Sequence, residues 1–289
     1  MVDRPIVIGL GELLWDCFED SRRPGGAPAN GAFQANQLGC LGIVCSRIGQ
    51  DELGEELASF LESQGLSTRA LQFDASLPTG IVSVELEEGN HPVYTIHENV
   101  AWDALEFSPD WQQWMRSASA ICFGSLAQRT ENGHYTIQQC LSSTSESCLI
   151  VYDVNLRQDY YSRAIIEDSL HAADVVKLNH EEVDAITETL GLKVEDVNAF
   201  AEQIQKKFEI SLVVITRGKH GCLLISRDET IEVAGRKIQG ADAVGAGDAF
   251  TAGLISALLS GWPLALAGEF ANHVGATVAS RSGAMPDLK

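Results

Sequence analysis

CLIVYDVNLRQDYYSRAIIEDSLHAADVVKLNHEE (148–182) holds two short, mainly apolar runs, 148–152 and 173–178, and each stops in a cluster of polar side chains. The first ends in DVNLR (153–157), the second in KLNHEE (177–182). Short apolar runs closed by polar residues read as buried strands, and an amphipathic segment between them reads as a helix. The same unit recurs outward in both directions. Apolar runs at 119–123 and 211–215 frame it, and Val194–Phe208 has an amphipathic pattern. Towards the N-terminus, Ile6–Leu10 and Gly42–Ser46 read as strands, and Ala29–Leu38 as a helix closed by Gly39. Asp51–Gln64 carries apolar residues at 53, 57, 60 and 61, one helical face, with Gly65 as its C-cap. This alternation predicts an α/β fold, a mainly parallel sheet covered by helices on both faces. Ligands of such sheets bind at the carboxyl ends of the strands.

One stretch breaks the rhythm. TGIVSVELEEGNHPVYTIHE (79–98) alternates apolar and polar residues around the turn EEGN, a hairpin pattern. With residues near 12–24 it predicts a small antiparallel sheet, either an edge hairpin or a lid over a cleft. No internal repeat or long linker divides the chain, so 1–289 reads as a single domain with lid segments near 12–24 and 79–102.

Forty acidic residues stand against twenty Lys and Arg, a net charge of −20. That balance argues against a protein that grips nucleic acid, and it requires a local positive site for any anionic substrate. The start, MVDRPIVIGLGELLWD, lacks the basic region and long apolar core of a signal peptide. No apolar stretch reaches the roughly 20 residues of a membrane span. Seven cysteines without a CxxC, and seven histidines without an HxxxH, fit reduced thiols and no zinc site. A cytoplasmic enzyme is the expectation.

Chemistry concentrates in ADAVGAGDAFTAGLISALLSGWP (241–263). Gly245, Ala246 and Gly247 present backbone amides with no side chain in the way, and a helix follows. Amides at a helix N-terminus attract an anion. Asp248, in the first turn, reads either as a helix cap or as a base. No GxxxxGK[ST] occurs, and GLGELL (9–14) has Leu14 where a dinucleotide fingerprint needs glycine. PGGAPAN (24–30) allows close approach to its glycines, and Asn30 offers a donor and an acceptor to sugar hydroxyls. Asp16, after the first strand, can accept from two hydroxyls. Asp153, Asn155 and Arg157 in DVNLR, Asn179 and Glu182 in KLNHEE, and Thr216 in TRGKHG (216–221) stand at successive strand ends. That repetition favours a ligand site over scattered surface polarity.

The set GGAPAN, DVNLR, NHEE, TRGKHG and DAVGAGDAF, in this order, resembles the ribokinase-like or PfkB carbohydrate kinases across Gly9 to Pro286. The resemblance implies a three-layer fold with a central, mostly parallel sheet and a small β-lid over the sugar. It implies that Asp16, Gly26 and Asn30 hold sugar hydroxyls, that Asp248 is the base, and that the amides of Gly245, Ala246 and Gly247 form an anion hole, with Arg157 beside them. Asn179 and Glu182 match the element that organises Mg²⁺ and the phosphates through water. Thr216, Gly218 and Gly221 would line the phosphates of ATP, and Asn272 the adenine. VASRSGAMPD (278–287) resembles the family's monovalent-cation loop, implying potassium held by Asp242 and the carbonyls of Val244, Val278, Arg281 and Gly283. Two positions depart from the pattern. Ala243 stands where many members have Thr, and ENVAWDAL (98–105) is not the common lid sequence, although its Asp103 is placed to meet a hydroxyl.

GELLWD with PGGAPAN is most similar to the fructokinase branch, which makes fructose the first expected substrate. Ketodeoxygluconate, whose carboxylate Arg157 could pair, and ribose-type substrates follow. A sensor without catalysis and a dehydrogenase are the rivals from other classes. A lid outer face carrying Val82, Val84, Val93 and Ile96 would make a lid-to-lid homodimer.

Overall fold

The computed structural model describes residues 4–87, 91–236 and 244–288, with side chains of 85–87 and 91–93 excluded. Seven strands run parallel: β1 (Ile6–Leu10), β4 (Leu41–Gly49), β5 (Leu71–Asp74), β8 (Ala120–Phe123), β9 (Leu149–Asp153), β10 (Val175–Asn179) and β11 (Leu212–Thr216). The antiparallel strands β12 (Cys222–Ser226) and β13 (Thr230–Val233) extend one side, giving the order β13-β12-β11-β10-β9-β8-β1-β4-β5. Each parallel strand is short and apolar because both of its faces are covered.

Helices α1 (Ala27–Gln37), α2 (Glu52–Ser63), α8 (Ala246–Leu259) and α9 (Leu264–Ala279) cover one face. Helices α3 (Pro109–Ser117), α4 (Glu131–Ser142), α5 (Arg163–Ala172), α6 (His180–Leu190) and α7 (Val197–Phe208) cover the other. This is the expected three-layer α/β architecture. Alternate residues along a strand serve opposite layers: Val175 packs under α8, while Val176 and Leu178 join the α3–α7 side. Six helices begin at a side-chain cap, namely Asp51, Ser108, Thr130, Ser162, Asn179 and Asp196. By contrast, α8 starts at Gly245, and among the described residues no side chain caps its first amides.

A second sheet, ordered β3-β2-β6-β7, is built from β2 (Leu14–Phe18), β3 (Ser21–Gly25), β6 (Gly80–Glu87) and β7 (His91–Ile96). Both predicted segments therefore meet, but the sheet is mixed and not antiparallel as expected. Strands β2 and β6 run parallel, with Leu14 opposite Gly80 and Asp16 opposite Val82, and only the outer pairs β2–β3 and β6–β7 are antiparallel. The expectation about its outer face is corrected. Val82, Val84 and Ile96 are 6, 7 and 6 % exposed and belong to the main apolar cluster with Leu14, Val100 and Trp102. The apolar stripe faces inward because only there does it leave water; the side chain of Val93 lies outside the described residues. No helix among the described residues is long and apolar enough to cross a membrane.

Candidate active site

Strand β1 has β4 on one side and β8 on the other, and the chain proceeds in opposite directions from it. The crevice beyond such a switch point is where ligands of open α/β sheets bind. Here it is rimmed by the segment after β1, the start of α1, the ends of β9 and β10, and the first turn of α8.

Asp248 lies in that first turn, but it does not cap its own helix. Its Oδ2 accepts from Asn30 Nδ2 at 2.7 Å, across 218 residues of sequence. Burial pushes its carboxyl up to about 6, helped by the Asp153 carboxylate and opposed by Asn30, Lys177 and Arg157. A carboxyl that is half ionised near pH 6 is ionised at neutral pH and still basic enough to take a proton. Gly245 sits at φ 75°, and a Cβ there would stand 2.5 Å from Ala284 Cα. Only glycine lets the chain enter α8 so close to the C-terminal segment, with the amides of its first turn left uncapped.

Glu12, Asp16, Gly26 and Asn30 gather around the same point. Gly26, at φ 107°, would place a Cβ 2.3 Å from the Glu12 carbonyl oxygen. Glu12 Oε1 accepts from Ala27 N at 3.0 Å, which caps α1 from outside the helix. Its Oε2, and Oδ1 of Asn30, are buried without a partner. Burial raises the Glu12 carboxyl to about 7. The Asp16 carboxylate rests against Gly25, and burial, opposed by Arg157, raises it to about 6. Arg157 is exposed, donates to the Leu156 carbonyl at 3.2 Å, and faces Glu12, Asp16 and Asp248. It is held on a loop in which Asn155 (φ 42°) and Gln158 (φ 46°) both take left-handed conformations, a strain typical of functional loops.

These three carboxyls set a pH dependence of stability. Each binds its proton more tightly in the folded chain than in the unfolded one. Their contribution is therefore complete below about pH 4 and is lost as pH rises through about 6 to 7. Asp74, lowered to about 2 by bonds from the Ser76 and Leu77 amides, acts in the opposite sense but only at lower pH. The ligand-free protein is expected to melt at a higher temperature near about pH 5 than near about pH 7.5. Scanning calorimetry across that interval checks this, and a flat or rising profile contradicts it.

The second half of the site follows β10 and β11, where Asn179 and Thr216 are paired in register. Asn179 Oδ1 accepts from the amides of Glu181 and Glu182, and Glu182 Oε2 accepts from Asn179 N at 2.8 Å. Glu182 Oε1 takes the Leu156 amide at 3.0 Å. Both carboxylate oxygens are thus committed to amides, so this residue suits a metal held through water better than one bound directly. Among the described residues no cluster of three or more His, Cys, Asp or Glu could hold a metal ion. Next to Asn179, Thr216 and Gly221, the side chains of His180, Arg217, His220 and Glu232 line an open cavity of about 480 Å³. Arg217 is ion-paired with Glu232 at 2.6 Å. Gly221 at φ 91° brings the 218–221 turn against the Val233 carbonyl. Asn272 Nδ2 donates to Ala234 O at 3.3 Å, on the rim of the same region.

Gly245 lies against Ala284, which follows Gly283 (φ 81°). Of the residues expected to hold potassium, Val278 packs with Ala249 and Val274, and Asp242 lies outside the described residues, as does Ala243. Asp103 is ion-paired. Its two oxygens are taken by Arg129 at 2.7 and 2.8 Å, and Oδ2 also accepts from Val100 N. A carboxylate so engaged holds the 101–104 turn to Arg129. Sequence reasoning passed over Glu12, Lys177 and Thr251. Lys177 lies in the apolar strand β10 and Glu12 in the buried link between β1 and β2, where a charge must be paired or used.

The sequence profile described as the pfkB family of carbohydrate kinases matches residues 6–289. An uncharacterized sugar kinase of Pyrococcus horikoshii is 31 % identical over 96 % of this chain and 91 % of its own. Its structure in complex with ATP superposes with a TM-score of 0.83, covering 97 % of this chain and 94 % of that one. Fructokinase-1 of Oryza sativa is 28 % identical over 98 % and 94 % of the two chains. The fructokinase of Vibrio cholerae, solved with fructose, ADP and calcium, is 26 % identical with a TM-score of 0.83, over 99 % and 96 %.

Proposed function

Since this chain belongs to the pfkB family of carbohydrate kinases, we propose that it transfers the γ-phosphoryl group of ATP to a hydroxyl of a neutral ketohexose, fructose first, with Asp248 as the base. The observation that carries this reading is the Asn30–Asp248 hydrogen bond at the uncapped start of α8. It joins the segment suited to sugar hydroxyls to the segment suited to a phosphate.

In this reading the sugar lies between Asp16, Gly26 and Asn30, and the unpartnered Asn30 Oδ1 accepts from one of its hydroxyls. A second hydroxyl points at Asp248, which takes its proton as the oxygen attacks phosphorus. The amides of Gly245, Ala246 and Gly247 receive the negative charge of the transferred group. Thr216, Gly218 and Gly221 hold the remaining phosphates, and Asn272 lies by the base. Mg²⁺, held by the phosphates and through water by Glu182, would offset phosphate charge. Potassium would sit among the carbonyls of Val244, Val278, Arg281 and Gly283 and steady the entry to α8. Most of the rate comes from in-line placement and fixed charge, with proton removal a smaller part. The β3-β2-β6-β7 sheet acts as a lid that excludes water as a competing acceptor.

A neutral sugar is favoured because Arg157 already faces three carboxyl groups, so a substrate carboxylate would meet more negative than positive charge. A coupled kinase assay across fructose, tagatose, ribose, ketodeoxygluconate and adenosine is expected to give the highest kcat/KM with fructose. No activity on either ketohexose removes this substrate. Preference for ketodeoxygluconate assigns Arg157 to its carboxylate instead.

A further inference from the structure

Lys177 is a charged residue near the middle of the nine-stranded sheet, and only 7 % of it is exposed. It leaves β10 on the face that Val175 shares with α8. Its Nζ donates to both oxygens of Asp153, at 2.9 and 3.0 Å. Thr251, one turn beyond Asp248 on α8, donates to Asp153 Oδ2 at 2.8 Å and to the Gly247 carbonyl at 3.0 Å. A Cβ added to Gly247 would stand 3.2 Å from Nζ. The ammonium is thus fixed directly beneath the first turn of α8 and cannot swing into the crevice.

The charges around Asp248 are unbalanced. Carboxyls face it from Asp153 on β9, Glu12 after β1 and Asp16 on β2, with the buried Cys122 thiol on β8. The cations facing it are Arg157, which is exposed, and Lys177, which is not. Lys177 also faces Glu182 on α6. Burial pulls the Lys177 ammonium towards neutrality, but Asp153 and Glu182 outweigh it and hold its pKa above the usual value. It stays charged. A cavity of about 10 Å³ between Asp153 and Asp248, bordered by Cys122 and Gly124, is at the lower limit for one water, so little solvent screens these groups. A buried ion pair contributes little to stability compared with apolar packing, which turns attention to what its charge does nearby.

We propose that Lys177 is a positioning residue for phosphoryl transfer, its buried ammonium supplying the fixed positive charge under α8 that keeps Asp248 ionised and draws the transferred group onto the helix amides. The role rests on Asp248 being the base. Lys177 touches neither substrate; it acts through Asp153, Thr251 and the α8 turn. Thr251 in turn fixes the Asp153 carboxylate that holds the ammonium.

Steady-state kinetics over pH with ATP and fructose, or the best sugar of the panel, test this on Lys177→Gln, Lys177→Arg and the double variant Asp153→Asn/Lys177→Gln. Folding of each is checked by thermal melting. In Lys177→Gln the acid limb of kcat/KM is expected to move up by about one pH unit or more. Its kcat at neutral pH should fall by about 10–100-fold with little change in sugar KM. Lys177→Arg should restore the limb. In the double variant the limb should return to the wild-type position or below, because Asp153 raises Asp248 more than Lys177 lowers it. A folded Lys177→Gln with an unmoved limb overturns the proposal, as does a raised limb in the double variant. If Lys177→Gln does not fold, the double variant, which keeps an amide pair, decides alone. Asp248→Asn separates the two readings: wild-type turnover there removes the base and this role with it, whereas loss of turnover there with an unmoved Lys177→Gln limb removes only the role of Lys177.

Discussion

Replacing Asp248 with Asn is expected to lower kcat by about 10²–10⁴ while nucleotide and sugar still bind with near wild-type affinity. The exchange is isosteric. The new amide oxygen can still accept from Asn30 Nδ2, so the 2.7 Å contact that ties α1 to α8 persists. The amides at the α8 N-terminus are untouched. What is lost is an acceptor for the hydroxyl proton, and a sugar hydroxyl at neutral pH is a poor nucleophile without one. Part of the activity survives because placement and charge stabilisation remain. Stopped-flow single turnovers give the chemical step, and calorimetric titration with sugar and with a non-hydrolysable ATP analogue gives the affinities. Wild-type turnover in this variant would leave Asp248 as a structural link between two helices.

The largest expected effect on stability comes from Arg129→Met. Arg129 and Asp103 pair with side-chain exposures of 4 and 10 %. The guanidinium also donates to the His97 carbonyl at 2.6 Å and lies 3.9 Å from the centre of the Trp102 ring. Met fills much of the space but leaves a buried carboxylate without its partner, a change that typically costs about 3–5 kcal/mol. For a chain of this size that lowers the melting temperature by roughly 10 °C. The loss should be largely recovered in Arg129→Met/Asp103→Leu, since removing both charges removes the stranded one. Melting curves of the two variants decide this. A single variant that melts within a degree or two of the wild type would mean that Asp103 is free to meet a sugar hydroxyl.

Local pattern was enough to locate most of the sheet. Ile6–Leu10 is found as read, and β4, β8, β9, β10 and β11 lie within a few residues of their apolar runs, whereas β5, four residues long, was not read. The small misses carry physics. The run 148–152 ends one residue before β9 does, because Asp153 looks like a loop residue until Lys177, 24 positions later, is known to neutralise it. Lys177 was hidden for the same reason: one charge in an apolar run reads as a surface residue, and its partner is on another strand. The ion pair of Asp103 was equally out of sight, because Arg129 comes 26 residues on. The inward turn of Val82, Val84 and Ile96 is likewise a tertiary fact, since alternation marks an apolar face without saying which side of the sheet is wet. The cluster of strand-end motifs was legible because it is local at each strand and repeated along the sheet.

The Asn30–Asp248 bond also bears on how the working molecule is made. One partner emerges early in synthesis and the other when about six-sevenths of the 289 residues have been joined. Strand β1 cannot pair with β8 until the chain has grown past residue 120. The first turn of α8, proposed to receive the phosphate, arrives later still. An N-terminal fragment therefore lacks Asp248 and so the group proposed to act as the base. Under the proposed function, turnover would itself report that α8 has docked against α1.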